Sequence, residues 1–313
     1  MTLSFALTDL LALLAAIPAA ALGGASFLKG VIGVAAWLRV PKLLVATTLA
    51  SFATSSPELA VSSLAALAGK PEIGLGDALG SNVFNIGLIL GVALLFGPLV
   101  TNITEIGRDW VLALIVPFLT LALVLDGSLS RAEGALLLAL FVLWMVLVVR
   151  RAITYRRDLA PDAAPRLSPG RAWLFLLAGL AALLLAGRLF VTGASGIAMA
   201  LGVHPYLIGV TVVAAGTSLP ELVIMLYSRL RGHDDVGLGT LLGSNLFNGL
   251  AIVGIAATIH PISAPRGEVA VALVFGALMV LLMLPRAGVI SRRRGLALLA
   301  AYLAFVFVTA LSF

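Results

Sequence analysis

Two glutamates stand in matching surroundings. Thr54-Ser-Ser-Pro-Glu58 is followed by Gly80-Ser-Asn-Val-Phe-Asn85, and Thr217-Ser-Leu-Pro-Glu221 by Gly243-Ser-Asn-Leu-Phe-Asn248. The offset is 163 throughout (217 − 54, 248 − 85), and 18 of the 38 positions from 54 to 91 are identical to those from 217 to 254. Both motifs lie in long apolar runs, where an acid at the bilayer centre costs roughly 2.5–3.5 kcal/mol. Pro57 and Pro220 lack an N–H and clash with the preceding turn, so each breaks its helix and frees backbone carbonyls. A membrane tolerates such a break only inside protein or beside a watery cavity. Thr54 and Glu58 are four apart and Ser55 and Glu58 three apart, which puts them on one helical face. Ser81 and Asn85, again four apart, add a second face. Hydroxyls, carbonyls and a carboxylate form an all-oxygen donor set suited to hard cations such as Ca²⁺ or Na⁺.

The second copy supplies Thr217, Ser218, Glu221, Ser244 and Asn248. Related by a pseudo-two-fold axis, the copies place Glu58 and Glu221 across one central site, whose charge of −2 is balanced by one Ca²⁺ or two Na⁺. A loaded site is neutral and an empty one costly, so the two ions compete. The plainer readings are specific. Ser, Thr and Asn often serve as hydrogen-bond glue between membrane helices, and Asn82 and Asn245, one position off the Ser81/Asn85 face, are read that way. A structural ion pair for the glutamates needs cations, and Lys29 and Arg188 do not occupy equivalent positions. Asp77, matched by Thr240, is expected near a helix start, where the dipole favours an acid, with a place in the vestibule as the alternative. Lys29 is expected to snorkel towards the inner surface. His204, His233 and His260 fall in connectors.

The elements around these motifs follow from composition. The chain has 313 residues, 61% hydrophobic and 11% charged, against about 25% charged in soluble domains. It reads as an all-α polytopic membrane protein. The apolar runs are continuous rather than alternating, unlike a closed barrel. The absence of cysteine excludes disulfide and thiolate chemistry. No basic stretch precedes the first run, which is read as a retained helix rather than a signal peptide. Spans need about 20 residues each, and ten are expected: 9–38, 42–68, 73–97, 109–125, 131–149, 172–201, 205–230, 236–258, 267–284 and 295–312.

The positive-inside rule orients the bundle. With the N-terminus outside, inner connectors hold 15 Lys and Arg residues and outer ones only Lys70, Arg131 and Arg266. This accounts for the net charge of +6 without a nucleic-acid partner. It implies an integral protein of the cytoplasmic (inner) membrane, with both termini outside. Residues 1–149 form a first five-helix repeat, 150–171 a cytoplasmic linker with Pro161, Pro165 and Pro169, and 172–313 a second repeat. Five spans per half make the copies inverted, which is a transporter pattern. Weaker matches upstream pair Phe27 with Phe190, Gly33 with Gly196, Leu44 with Leu207 and Thr48 with Thr211.

The paired Thr-Ser-x-Pro-Glu and Gly-Ser-Asn-x-Phe-Asn motifs resemble the α-repeats of the cation/Ca²⁺ exchanger superfamily, and within it the bacterial and archaeal Na⁺/Ca²⁺ exchangers. The resemblance spans the whole chain. It implies an inverted 5+5 fold with spans two, three, seven and eight around the site, and spans one and six sliding across it. It further implies that Thr54, Ser55, Glu58, Ser81, Asn85, Thr217, Ser218, Glu221, Ser244 and Asn248 bind ions, with help from the backbone carbonyls of Ser51 and Ala214. The cargo would be Ca²⁺ and Na⁺, with no cofactor. Several family members carry aspartate where this chain has Asn248, so the expected site here has two acids rather than three.

Three other readings compete. Proton/Ca²⁺ exchangers resemble one another in Gly-Asn-x-x-Glu motifs, which this chain lacks. A membrane-embedded enzyme would need signatures such as His-Glu-x-x-His or Gly-x-Ser-x-Gly, also missing. A channel is disfavoured by the inverted repeats around a neutralised site.

Overall fold

The computed structural model describes residues 7–101, 103–158, 167–202, 212, 214–264 and 266–311. His204, Leu207 and Thr211, the centre of the linker, and the start of the span expected at 205 lie outside the described residues.

Apolar runs too rich in backbone polar groups to stay unpaired in lipid become helices. In chain order they are α1 (Leu7–Leu38), α2 (Lys42–Thr54), α3 (Ser56–Leu67), α4 (Pro71–Leu95), α5 (Ile103–Leu123) and α6 (Arg131–Asp158). The second half contributes α7 (Pro169–Ala200), α8 (Ala214–Thr217), α9 (Leu219–Leu230), α10 (Asp234–Ile259), α11 (Arg266–Leu282) and α12 (Arg292–Leu311). Among the described residues six helices are long and apolar enough to cross a membrane, and two shorter apolar ones accompany them.

Several boundaries differ from the expected spans, the larger ones for a physical reason, and the described part of the span expected at 205–230 breaks at Ser218. The run 42–68 is two helices, because the chain breaks at Ser55 ahead of Pro57. Helix α5 starts six residues early and α6 runs nine residues past 149, so part of the expected linker is helical. Charged residues end a span but not a helix: once the chain leaves the bilayer, water solvates the side chains and the backbone ladder continues.

Helices α1 and α7 lie antiparallel along their length. A Cβ at Gly30 would sit 2.3 Å from the Leu176 nitrogen, and one at Gly179 2.3 Å from the Phe27 nitrogen, so glycine is what lets the two backbones touch. At 32 residues each, about 48 Å at 1.5 Å per residue, they exceed the hydrocarbon thickness and must tilt or protrude.

Helices α4 and α10 form the enclosed centre. Each contains a wide π-helical stretch, Phe84–Leu90 and Phe247–Ile252, beginning at equivalent positions. Two short antiparallel pairs tie the halves together: β1 (Leu99–Val100) with β4 (Val289–Ile290), and β2 (Ser128–Leu129) with β3 (Ile262–Ser263). Each pair joins connectors that the expected topology puts on the same side of the membrane.

Candidate functional site

The two breaks have nearly the same geometry. Ser55 adopts φ −84°, ψ 12° and Ser218 φ −85°, ψ 9°. Each serine precedes a helix whose second residue is proline and whose first turn carries the glutamate. Glu58 and Glu221 therefore sit at helix N-termini, where unpaired N–H groups and the positive dipole end favour a carboxylate. Pro57 leaves the Ala53 carbonyl without its helical donor, and the Ser56 hydroxyl takes it at 2.7 Å.

Nine of the ten expected side chains are buried: Thr54, Ser55, Glu58, Ser81, Asn85, Ser218, Glu221, Ser244 and Asn248 are each at most 1% exposed. Thr217 is half-buried. The halves bond each other's acids. Ser55 Oγ donates to Glu221 Oε1 at 3.2 Å, and Ser218 Oγ to Glu58 Oε1 at 3.3 Å. Ser244 Oγ also donates to Glu221 Oε1, at 3.1 Å, whereas Ser81 Oγ lies 3.3 Å from Ser218 Oγ. Glu58 and Glu221 are within electrostatic range of one another. The carbonyl of Ser51 accepts from the Ser55 nitrogen at 2.9 Å and from Thr54 Oγ1 at 3.3 Å. Ala214 begins α8, and only its backbone position is described.

What these groups leave unmet is informative. Glu58 Oε2, Glu221 Oε2, Asn85 Oδ1 and Asn248 Oδ1 are buried with no hydrogen-bond partner among the described residues. Buried acceptors are ordinarily satisfied, at a cost of about 1–3 kcal/mol each when they are not. Asp109 shows the ordinary case: 3% exposed, it accepts from Trp144 Nε1 at 2.9 Å and pairs with Arg108 at 3.2 Å. Among the described residues neither Glu58 nor Glu221 has such a cationic partner. Lys29 instead lies exposed on α1, its Nζ 4.0 Å from the Phe175 ring centroid, and Arg188 is exposed on α7. The unmet oxygens together match the donor set of a hard cation.

Two other readings change. Helix α4 starts at Pro71, so the acid in its first turn is Glu72. Asp77 lies nearly two turns in, beyond the reach of the dipole. It is half-buried, its Oδ2 is buried without a partner among the described residues, and it lies within electrostatic range of Glu58. His233 is not a bare connector residue: Lys42 Nζ lies 3.2 Å from its Nδ1, and burial together with that ammonium lowers the imidazole pKa below the usual value. His260 is exposed, as its connector position implies. Asn82 and Asn245 do bridge helices, by reciprocal bonds from each amide nitrogen to the other's backbone carbonyl, 3.2 and 3.0 Å. The π-helical turns that carry Asn85 and Asn248 have no sequence signal.

The sodium/calcium exchanger protein family matches residues 8–150 and 171–311 of this chain. The chain belongs to that family. It is 36% identical to the putative antiporter CaxA of Alkalimonas amylolytica over 299 residues, covering 90% of this chain and 92% of CaxA. It is 28% identical to the sodium/calcium exchanger MaX1 of Methanosarcina acetivorans, over 91% and 94% of the two chains. The solved sodium-calcium exchanger NCX_Mj, soaked with Na⁺ and Sr²⁺, superposes with a TM-score of 0.84 at 27% identity, covering 96% of this chain and 97% of that one. The protein is thus an integral membrane transporter of the cation/Ca²⁺ antiporter class, not an enzyme, and its class moves Na⁺ and Ca²⁺ without a cofactor.

Proposed function

We propose that the chain is a secondary-active antiporter that exchanges Na⁺ for Ca²⁺ by alternating access, the two ions competing for one site built on Glu58 and Glu221. One observation carries the reading: two buried carboxylates, each hydrogen-bonded by a serine of the opposite repeat, keep an oxygen without a hydrogen-bond or cationic partner among the described residues, as do the amide oxygens of Asn85 and Asn248. Thr54, Ser55, Ser81, Thr217, Ser218 and Ser244 surround them with neutral oxygens, and the Ser51 and Ala214 carbonyls complete the set. Residues 1–149 and 172–313 act as the two inverted five-helix repeats about the linker 150–171. The basic inner connectors put both termini outside the inner membrane.

The direct test is isotopic Ca²⁺ uptake into proteoliposomes under an imposed Na⁺, K⁺ or H⁺ gradient. Uptake driven by Na⁺ alone is expected; uptake following a pH gradient would make the protein a proton/Ca²⁺ exchanger of the same fold. Two acids also predict a lower countercharge than a three-acid site. Asn248→Asp is expected to change the charge moved per Ca²⁺, read as current against isotopic flux, and an unchanged ratio would refute that charge count.

A further inference from the structure

A carboxamide is a cation ligand only when its oxygen, rather than its NH₂, faces the ion. We infer that Asn245 sets this orientation for Asn85, through a relay of hydrogen bonds that starts at a backbone carbonyl and whose polarity has one solution. The Asn82 carbonyl can only accept, so the atom of Asn245 that faces it at 3.0 Å is the amide nitrogen. The oxygen of Asn245 must then be its other end. That oxygen meets the Asn85 amide at 3.0 Å and can only accept, so Asn85 turns its nitrogen there. The remaining Asn85 Oδ1 is buried and, like Glu58 Oε2 and Glu221 Oε2, has no partner among the described residues.

The mirror relay is not formed. Asn82 Nδ2 donates to the Asn245 carbonyl at 3.2 Å, which fixes the Asn82 amide in the same way. Its Oδ1, however, is left unpartnered, so no donor from Asn248 reaches it. Asn85 is a clamped oxygen donor, and Asn248 an amide that no such bond orients. Asn245 thus acts as a positioning residue, one bond removed from the ion. Asn82, at the equivalent place, only joins the helices.

The inference rests on the proposal that Asn85 is a ligand, and the experiment separates the two. Ca²⁺ affinity is measured by calorimetric titration of the purified full-length chain, with monodispersity and melting temperature as fold controls. If Asn85→Ala leaves affinity unchanged, the proposed ligand set is wrong and the relay falls with it. If Asn85→Ala weakens binding, Asn245→Ala is expected to weaken it about tenfold, as loss of a group orienting a metal ligand typically does. Asn82→Ala, which removes a bond of the same kind at the same crossing, is expected to leave affinity unchanged. In an Asn85→Asp background, where either carboxylate oxygen serves, adding Asn245→Ala is expected to cost nothing further. An equal loss in that background, or an equal loss from Asn82→Ala, would show a packing role alone and overturn the relay while leaving the ligand assignment intact. Should Asn245→Ala not survive extraction, Asn245→Ser takes its place, since a hydroxyl is too short to span both partners.

Discussion

The upstream faces of α4 and α10 have the same glycine frame and opposite surroundings. Gly76, Asp77 and Gly80 precede Ser81; Gly239, Thr240 and Gly243 precede Ser244, at the same offset. Gly239, Thr240 and Gly243 are buried, whereas Gly76 is exposed and Asp77 and Gly80 half-buried. A Cβ on Gly243 would lie 2.1 Å from both the Thr47 carbonyl oxygen and Ser51 Oγ, while among the described residues nothing comes within 4 Å of one on Gly80. Ser51 Oγ, which donates to the Ala46 carbonyl at 2.7 Å, also lies 3.2 Å from the Thr240 carbonyl. Among the described residues, the α10 positions are pressed against α2, and the equivalent α4 positions are less buried. The difference lies in helix packing, not in the motif.

The largest effects should be symmetric. Glu58→Gln and Glu221→Gln each leave a buried charge pattern unbalanced, about 3 kcal/mol or more, so Ca²⁺ affinity should fall at least about a hundredfold in either variant. Calorimetric titration checks this, and retention of exchange by either variant would break the equivalence of the halves. Stability should instead divide them. Gly243→Ala forces backbone apart, for about 1–3 kcal/mol, whereas Gly80→Ala should stay within about 0.5 kcal/mol. Melting of the two variants side by side in detergent is the measurement, and equal shifts would erase the packing contrast.

Smaller effects test the charge that only the first half carries. Asp77→Thr makes α4 resemble α10; losing an acid near Glu58 should lower Ca²⁺ affinity about fivefold, close to 1 kcal/mol, with weaker dependence on salt. Thr240 donates to the Val236 carbonyl of its own helix at 2.9 Å, so Thr240→Val should leave affinity alone. Smallest is the serine pair. Ser244→Ala removes a direct bond to Glu221, roughly 1 kcal/mol, while Ser81→Ala removes only a contact with Ser218. The first should therefore weaken binding more in the same titration, and a reversed order would mean that Ser81 serves an ion directly.

Much of this was legible in the residues. The glutamates, the prolines beside them and the neutral oxygens at helical spacing point to a cation site because a charge in an apolar run demands a reason, and the repetition supplies one. The break at Ser55 follows from Pro57 in the same way. Other features had no local signal. The expected helix-start role of Asp77 failed by a few residues of helix boundary, and the π-helical turns at Phe84 and Phe247 arise from packing rather than from residue type. Asn82 and Asn245 were recognisable as helix glue, but not which of the two orients a neighbour.

Composition and spacing alone determined the class of molecule, the internal duplication and the oxygen-rich chemistry, because burial cost and helical periodicity act on each segment by itself. Which serine reaches which carboxylate, which amide turns its oxygen inward, and which glycine is pressed against a neighbouring backbone were decided only when the two halves came together. Those facts depend on distances between residues some 160 positions apart, and nearly identical motifs settle into different contacts once the helices around them are packed differently.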